Sequence, residues 1–350
     1  MTPLYLFKSG TFHRENNTLS IRNDEEIKYV PIENVSEIKV FGEVDINKRI
    51  LEFLAQNWIP MHFFNRFGHY TGTFYPYEYL SNGCTVLQQA LCYQDKDKRL
   101  AIAGKILEGA SANMKSVLNY YNRRKGGFTE TIEGIENLRK RLLEARSIEE
   151  LMAIEGNIRE LYYRSFDDIV NNALFNFERR SKKLPENHLN TLISFGNSLL
   201  YSTTLTELYK TALDPRIGFL HSTNFRKFSL NLDIAEIFKP VLVDRTIFAL
   251  INRGQLSEQH FKGVEGGIHL NEQGKKTFII EYEKHLNQTV KHEKLKRNVS
   301  YLSLIHISEP TRLLSISYAV FCLQKKTTTI THPNTASQLQ MTPAYATYTS

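Results

Sequence analysis

Residues 59–93 read IPMHFFNRFGHYTGTFYPYEYLSNGCTVLQQALCY, and the hydrophobic period changes inside them. Residues 60–64 and 70–74 are short and rich in aromatic residues and threonine. Between them stand Asn65 and Gly68, which are turn formers, so the pattern predicts a closing hairpin. From Val86 onward the apolar residues recur at helical spacing instead. The chain divides near residue 85.

Upstream of that point, residues 4–7, 11–14 and 18–22 form short segments, divided by Ser9 with Gly10 and by Asn16 with Asn17. Residues 27–31 and 35–41 follow, with a turn at Glu33 and Asn34. Residues 46–56 interrupt them as a helix, because Ile46, Ile50, Leu51 and Leu54 share one face. Residues 1–85 are therefore predicted to be a small N-terminal β-domain with one helix. Downstream, residues 86–93, 99–121, 132–146, 148–177, 188–212, 229–252 and 274–292 fit helices. Gly126 with Gly127, and Asp214 before Pro215, punctuate them. Residues 86–301 are predicted to be an all-α catalytic domain, giving an α+β fold class. No repeat period is visible.

The bulk numbers agree with an ordinary globular chain of 350 residues, 41% hydrophobic and 23% charged. A formal net charge of +7 favours anionic partners, though it is modest for this length. Cys84, Cys92 and Cys322 make no CxxC pair, which argues against structural zinc and against a disulfide framework. The first residues lack the apolar run of a signal peptide, and no apolar run reaches the length of a membrane span. A cytoplasmic protein is the expectation.

The tail is read separately. Residues 302–312, LSLIHISEPTR, are what the end of a transposase-based sequencing-library adapter encodes. Residues 316–323, ISYAVFCL, match the flow-cell adapter that follows the index in such libraries, and Lys325 with Lys326 would come from a run of A. Two matches in the correct order predict that residues 302–350 are adapter read-through in place of a natural C-terminal element. Cys322, His306 and His332 are accordingly set aside as ligands.

Three stretches carry chemistry. In residues 152–163, MAIEGNIRELYY, helical spacing puts Ile154, Ile158 and Leu161 on or near one face, with Glu155 beside it. Gly156 within a helix costs about 1 kcal/mol against alanine, which close approach of a backbone or ligand would offset. Residues 212–221, ALDPRIGFLH, stop a helix at Pro215, permit a turn at Gly218 and end on His221, a candidate metal ligand or proton shuttle. In residues 230–245, LNLDIAEIFKPVLVDR, Asp233 and Glu236 are three apart among apolar neighbours. Carboxylates in such surroundings need a cation or a partner. A Glu/His/Glu set suits Mn²⁺ or Mg²⁺ better than zinc. Taken singly, Glu155 also reads as a solvated residue, His221 as a packed one, and Glu236 as part of a salt-bridged face using Lys239 or Arg226.

In order and spacing, EGNIRELYY, LDPRIGFLH and LDIAEIFKPVLVDR resemble the three sequence blocks of the first CRISPR-associated protein family, the integrase of spacer acquisition. VFGEV at residues 40–44, IPMHFFNRFGHYT at 59–71 and SFGNSLLY at 194–201 look like the same family, closest to its type I-B form. The resemblance covers residues 1–301. It implies a homodimeric, metal-dependent DNA endonuclease/integrase that inserts short DNA fragments into a CRISPR array by phosphodiester transesterification, in antiviral defence. By position the resemblance places the metal ligands on Glu155, His221 and Glu236, with Mg²⁺ or Mn²⁺ as cofactor and Asp233 as a supporting acid. Many members carry Asp where Glu236 stands. Implied partners are prespacer DNA, the CRISPR repeat and the small second CRISPR-associated acquisition protein. Of the basic clusters, Arg226, Lys227 and Arg245 are the favoured phosphate contacts, since they lie close in sequence to the ligands. The alternative is a catalytically inactive DNA-binding scaffold. An unrelated RNA-binding protein finds no support, because no RNP-like aromatic motif is present.

Overall fold

The computed structural model describes residues 1–305 apart from 24–25, 78–79, 81–82, 178–179, 181–184, 222–227, 265–266 and 293–296. The first elements are β1 (Thr2–Leu6), β2 (Gly10–Glu15), β3 (Thr18–Arg22), β4 (Ile27–Pro31), β5 (Val35–Val40), β6 (Val44–Ile46), α1 (Lys48–Gln56), β7 (Met61–Phe64) and β8 (Tyr70–Phe74). They make two four-stranded sheets, ordered β1-β5-β7-β8 and β4-β3-β2-β6. The first is parallel apart from the β7–β8 hairpin, and β6 joins the second by parallel pairing with β2. Asn47 caps α1 by accepting the Ile50 amide at 3.1 Å. Ile50, Phe53 and Leu54 then enter a core with Phe12, Leu19, Ile38 and Met61.

The helical part comprises α2 (Gly83–Gln94), α3 (Lys96–Lys125), α4 (Thr129–Leu142), α5 (Ile148–Arg164), α6 (Phe166–Val170), α7 (His188–Tyr209), α8 (Ser229–Phe238) and α9 (Arg245–Asn252). After them come β9 (Phe261–Val264), β10 (Gly267–Leu270), α10 (Glu272–Leu286), β11 (Thr289–His292), β12 (Arg297–Ser300) and α11 (Tyr301–Ile305). Asp95, Ser147 and Asn187 cap α3, α5 and α7 through side-chain oxygens on the amides of Lys98, Glu150 and Asn190. α7 is buried almost all round and serves as the central post of the larger core.

The expectation of an all-α second part is corrected here: β9 with β10 and β11 with β12 form two antiparallel hairpins. The helical pattern over 274–292 stops at Leu286, where Asn287 caps α10 and the following residues pair as a strand. The helix expected over 148–177 likewise breaks, and α6 ends on Asn171, in the left-handed region at φ 46°. Between α8 and α9 the helix widens into a π-turn over Lys239–Asp244. Pro240 has no amide to donate, and the Arg245 amide reaches back to the Pro240 carbonyl. Of the segment read as adapter, residues 302–305 lie in α11, with Ile305 buried in the larger core. Residues 306–350 lie outside the described residues.

The two parts meet across a polar seam. Ile38 and Val40 of β5 face the smaller core, while Glu37 and Lys39 face α7. Lys39 Nζ donates to Glu37 Oε1 at 2.6 Å and to Thr203 Oγ1 at 3.1 Å. Thr206 Oγ1 donates to Glu37 Oε2 at 2.7 Å, and His62 Nε2 lies 3.3 Å from the same oxygen. Burial would push the Glu37 carboxyl up, but Lys39 and His62 outweigh it and hold it well below the usual carboxylate range.

Candidate active site

Leu151, Ile154, Ile158 and Tyr162 form the buried stripe of α5. Glu155 stands beside that stripe, and Arg159 follows one turn later on the same flank. Arg159 Nε donates to Glu155 Oε1 at 2.6 Å. Its Nη2 also contacts Glu155 and donates to Glu236 Oε2 at 2.5 Å. Glu236 comes from α8, which packs with α5 around α3. Its other oxygen accepts Lys239 Nζ at 2.6 Å, and that ammonium lies 5.2 Å from the centre of the Tyr201 ring. Burial alone would raise the Glu236 carboxyl, but Lys239 and Arg159 hold it far below its ordinary value. The ion pair with Lys239 raised by the sequence is therefore present, and the carboxylate also reaches across to α5.

Asp233, three residues earlier on α8, serves a different neighbour. Its Oδ2 accepts the amides of Phe219 and Leu220 at 2.5 and 3.0 Å. Its Oδ1 accepts the His221 amide at 2.9 Å and lies 2.8 Å from His221 Nδ1. This fully buried carboxylate thus ties down the loop that follows Pro215 and fixes the His221 ring. Gly218 makes the fit possible: a Cβ there would meet the Ser229 carbonyl carbon at 2.6 Å and Asp233 Oδ2 at 2.8 Å. Gly156, by contrast, has no protein atom close to its Cβ position, so no other backbone approaches it; it lines an open cleft.

That cleft, of about 510 Å³, lies along α5 and is lined by Gly156, Arg159, Tyr163, Arg164, Asp167 and Arg180, among others. Arg180 is held by Asn190 Oδ1 at 2.8 Å and Ser194 Oγ at 3.1 Å, both neutral partners. Sequence reasoning named neither Arg159 nor Arg180 individually. The spacing of Glu155 and Arg159 was the available signal for the first. The charge of Arg245, at the start of α9, acts on Tyr121 and His285. Arg226 and Lys227 lie outside the described residues.

Glu155 and Glu236 are thus brought onto one cation, while His221 is oriented by Asp233. Among the described residues, no three His, Cys, Asp or Glu side chains form a group that could hold a metal ion. The donor chemistry nevertheless fits a hard divalent cation. Two carboxylates converge on a positive group, and an imidazole has its Nδ1 fixed by a carboxylate, the usual outer support of a metal-ligating histidine.

Asp244, on the π-turn, completes the buried set. Burial pushes its carboxyl up to about 7, against partial relief from Tyr162, Arg159 and Lys239. In the unfolded chain this group titrates near about 3.9. The folded state therefore keeps a proton that the unfolded state has released, so this group's contribution to stability is whole below about pH 4 and is lost as pH rises through about 7. Asp244→Asn is expected to remove a loss of about 2–3 kcal/mol between about pH 5 and pH 8. Urea unfolding at both pH values measures it; equal pH dependence in variant and parent would reject this assignment.

A family model described as CRISPR associated protein Cas1 matches residues 4–284. The chain is 49% identical over 304 residues to the CRISPR-associated endonuclease Cas1 2 of Thermodesulfovibrio yellowstonii, spanning 87% of this chain and 92% of that protein. It is 50% identical over 305 residues to the CRISPR-associated endonuclease Cas1 of Thermotoga maritima, spanning 87% and 93%. The solved structure of a Cas1 protein from Thermotoga maritima aligns with a TM-score of 0.80 at 49% identity, over 87% of this chain and 94% of that one. A casposase bound to integration product shares the fold, with a TM-score of 0.82 at 22% identity, over 93% and 91%.

Proposed function

The chain belongs to the Cas1 family of CRISPR-associated proteins, and we propose that it is a metal-dependent DNA endonuclease and integrase that inserts short DNA fragments into a CRISPR array. The observation that carries the reading is the convergence of Glu155 and Glu236, from separate helices, on one cationic group at the edge of an arginine-lined cleft. The relatives are named endonucleases, and the casposase neighbour is bound to integration product.

The proposed reaction is transesterification. The 3′-hydroxyl oxygen of a DNA fragment loses its proton and forms a bond to a backbone phosphorus at the repeat end, while the bond from that phosphorus to the repeat strand's own 3′-oxygen breaks and this oxygen takes up a proton to leave as a 3′-hydroxyl. One phosphodiester replaces another, so no external energy source is needed. Glu155, Glu236 and His221 would hold Mg²⁺ or Mn²⁺, which supplies Lewis-acid polarisation of the phosphate when bound. Asp233 keeps His221 Nδ1 engaged and leaves Nε2 as the nitrogen for ligation or for moving the hydroxyl proton. Lys239 keeps Glu236 ionised within its apolar surroundings. With water in place of the hydroxyl, the same site would hydrolyse DNA. The proposed partners are prespacer DNA, the CRISPR repeat, a second copy of the chain and the small Cas2 protein.

Strand transfer of a labelled fragment into a repeat-containing duplex is expected to vanish with EDTA and return with Mn²⁺ or Mg²⁺. Transfer that persists after thorough chelation would overturn the metal-dependent reading, and DNA binding without any transfer would favour a scaffold.

A further inference from the structure

The group joining α5 to α8 sets two glutamates against two basic residues, with Asp244 buried beside them. Glu155 and Glu236 face Arg159 and Lys239, and Arg159 spans both carboxylates. The two basic residues differ in freedom. Lys239 is buried beside Tyr201, whereas the Arg159 side chain keeps 25% of its surface exposed and forms part of the cleft wall. We propose that Arg159 is a gate and positioning residue: it holds the two glutamates in register, competes with the divalent cation for them, and swings into the cleft when DNA arrives.

This rests on reading Glu155 and Glu236 as metal ligands. A divalent cation shared by them needs the oxygen lone pairs that Arg159 Nη2 engages, and it places positive charge beside the guanidinium. The cleft that Arg159 already lines gives the guanidinium space to move into. Arg180 already stands there on neutral partners, and Arg164 pairs with Glu160 on the outer wall. Asp167 accepts the Phe177 amide at 2.7 Å. A further guanidinium in that space is favoured by an incoming phosphate, which it can grip with paired N–H groups. DNA and metal thus each strengthen binding of the other through the same side chain, which keeps the metal site closed until substrate is present.

The test is a Mn²⁺ titration followed by electron paramagnetic resonance, with and without a forked DNA duplex, on the full chain. Without DNA, Arg159→Gln should bind Mn²⁺ about tenfold tighter than the parent, within the usual range of such couplings. Adding DNA should tighten the parent by a similar factor and leave Arg159→Gln nearly unchanged, while strand transfer by this variant falls. Arg159→Lys, which keeps the charge but cannot span both carboxylates, should lie between them. Unchanged or weaker Mn²⁺ binding in folded Arg159→Gln, or DNA coupling that survives, would overturn the gate. Glu155→Gln and Glu236→Gln separate the two readings. If both weaken Mn²⁺ binding while the arginine variants behave as the parent, only the gate fails. If neither affects it, the metal site fails and the gate with it.

Discussion

Glu155→Ala, His221→Ala and Glu236→Ala are each expected to reduce strand transfer by about a thousandfold or more, because loss of a ligand removes several kcal/mol of charge stabilisation from the transition state. Measured without metal, DNA affinity should change little, since basic residues elsewhere carry the phosphate contacts. The three variants differ in their side effects. His221→Ala leaves Asp233 satisfied by three loop amides, so the local fold should persist. Glu236→Ala strands the buried Lys239 and deprives Arg159 of a partner, so stability should also fall. Glu236→Gln keeps the shape and is the cleaner comparison, and Glu236→Asp should retain partial transfer. Circular dichroism reports folding for each variant. Near-parental transfer by folded Glu155→Ala or His221→Ala would contradict the assignment.

The second large effect concerns stability. Removing one member of the buried pair at the seam, by Lys39→Ala, should destabilise the chain by about 3–5 kcal/mol, because Glu37 is left buried without its lysine. The double change Glu37→Gln with Lys39→Met should regain much of that, since no unpaired charge remains. In the parent, the depressed Glu37 carboxyl contributes stability at neutral pH that is lost as pH falls below the ordinary carboxylate range. Urea unfolding of the single and double variants decides it. Equal stability of Lys39→Ala and the parent would show that the seam is not an energetic unit.

These features were unequally legible in the sequence. The change of period near residue 85 located the passage from strands to helices, because alternating and 3.6-residue patterns differ over any long stretch. β6 escaped because Val44–Ile46 is three residues long and its last residue fits the pattern of the helix behind it. The β11–β12 hairpin escaped because Thr289–His292 continues an apolar spacing that α10 begins. At the site, the order of the three blocks pointed to Glu155, His221 and Glu236, yet no spacing could pair Arg159 with Glu236 across 77 positions. Asp233 and Glu236 looked like one acidic face. Their division, one carboxylate for the histidine loop and one for α5, depends on how α8 sits against its neighbours. The collision that a side chain at Gly218 would cause is likewise a tertiary fact.

The most direct measurement is anomalous diffraction from crystals of this chain soaked with Mn²⁺ and a short DNA duplex. The expected result is one strong manganese peak within coordination distance of carboxylate oxygens of Glu155 and Glu236 and of His221 Nε2, with Arg159 turned away into the cleft. A manganese peak elsewhere, with Arg159 still bridging the two glutamates, would contradict the account.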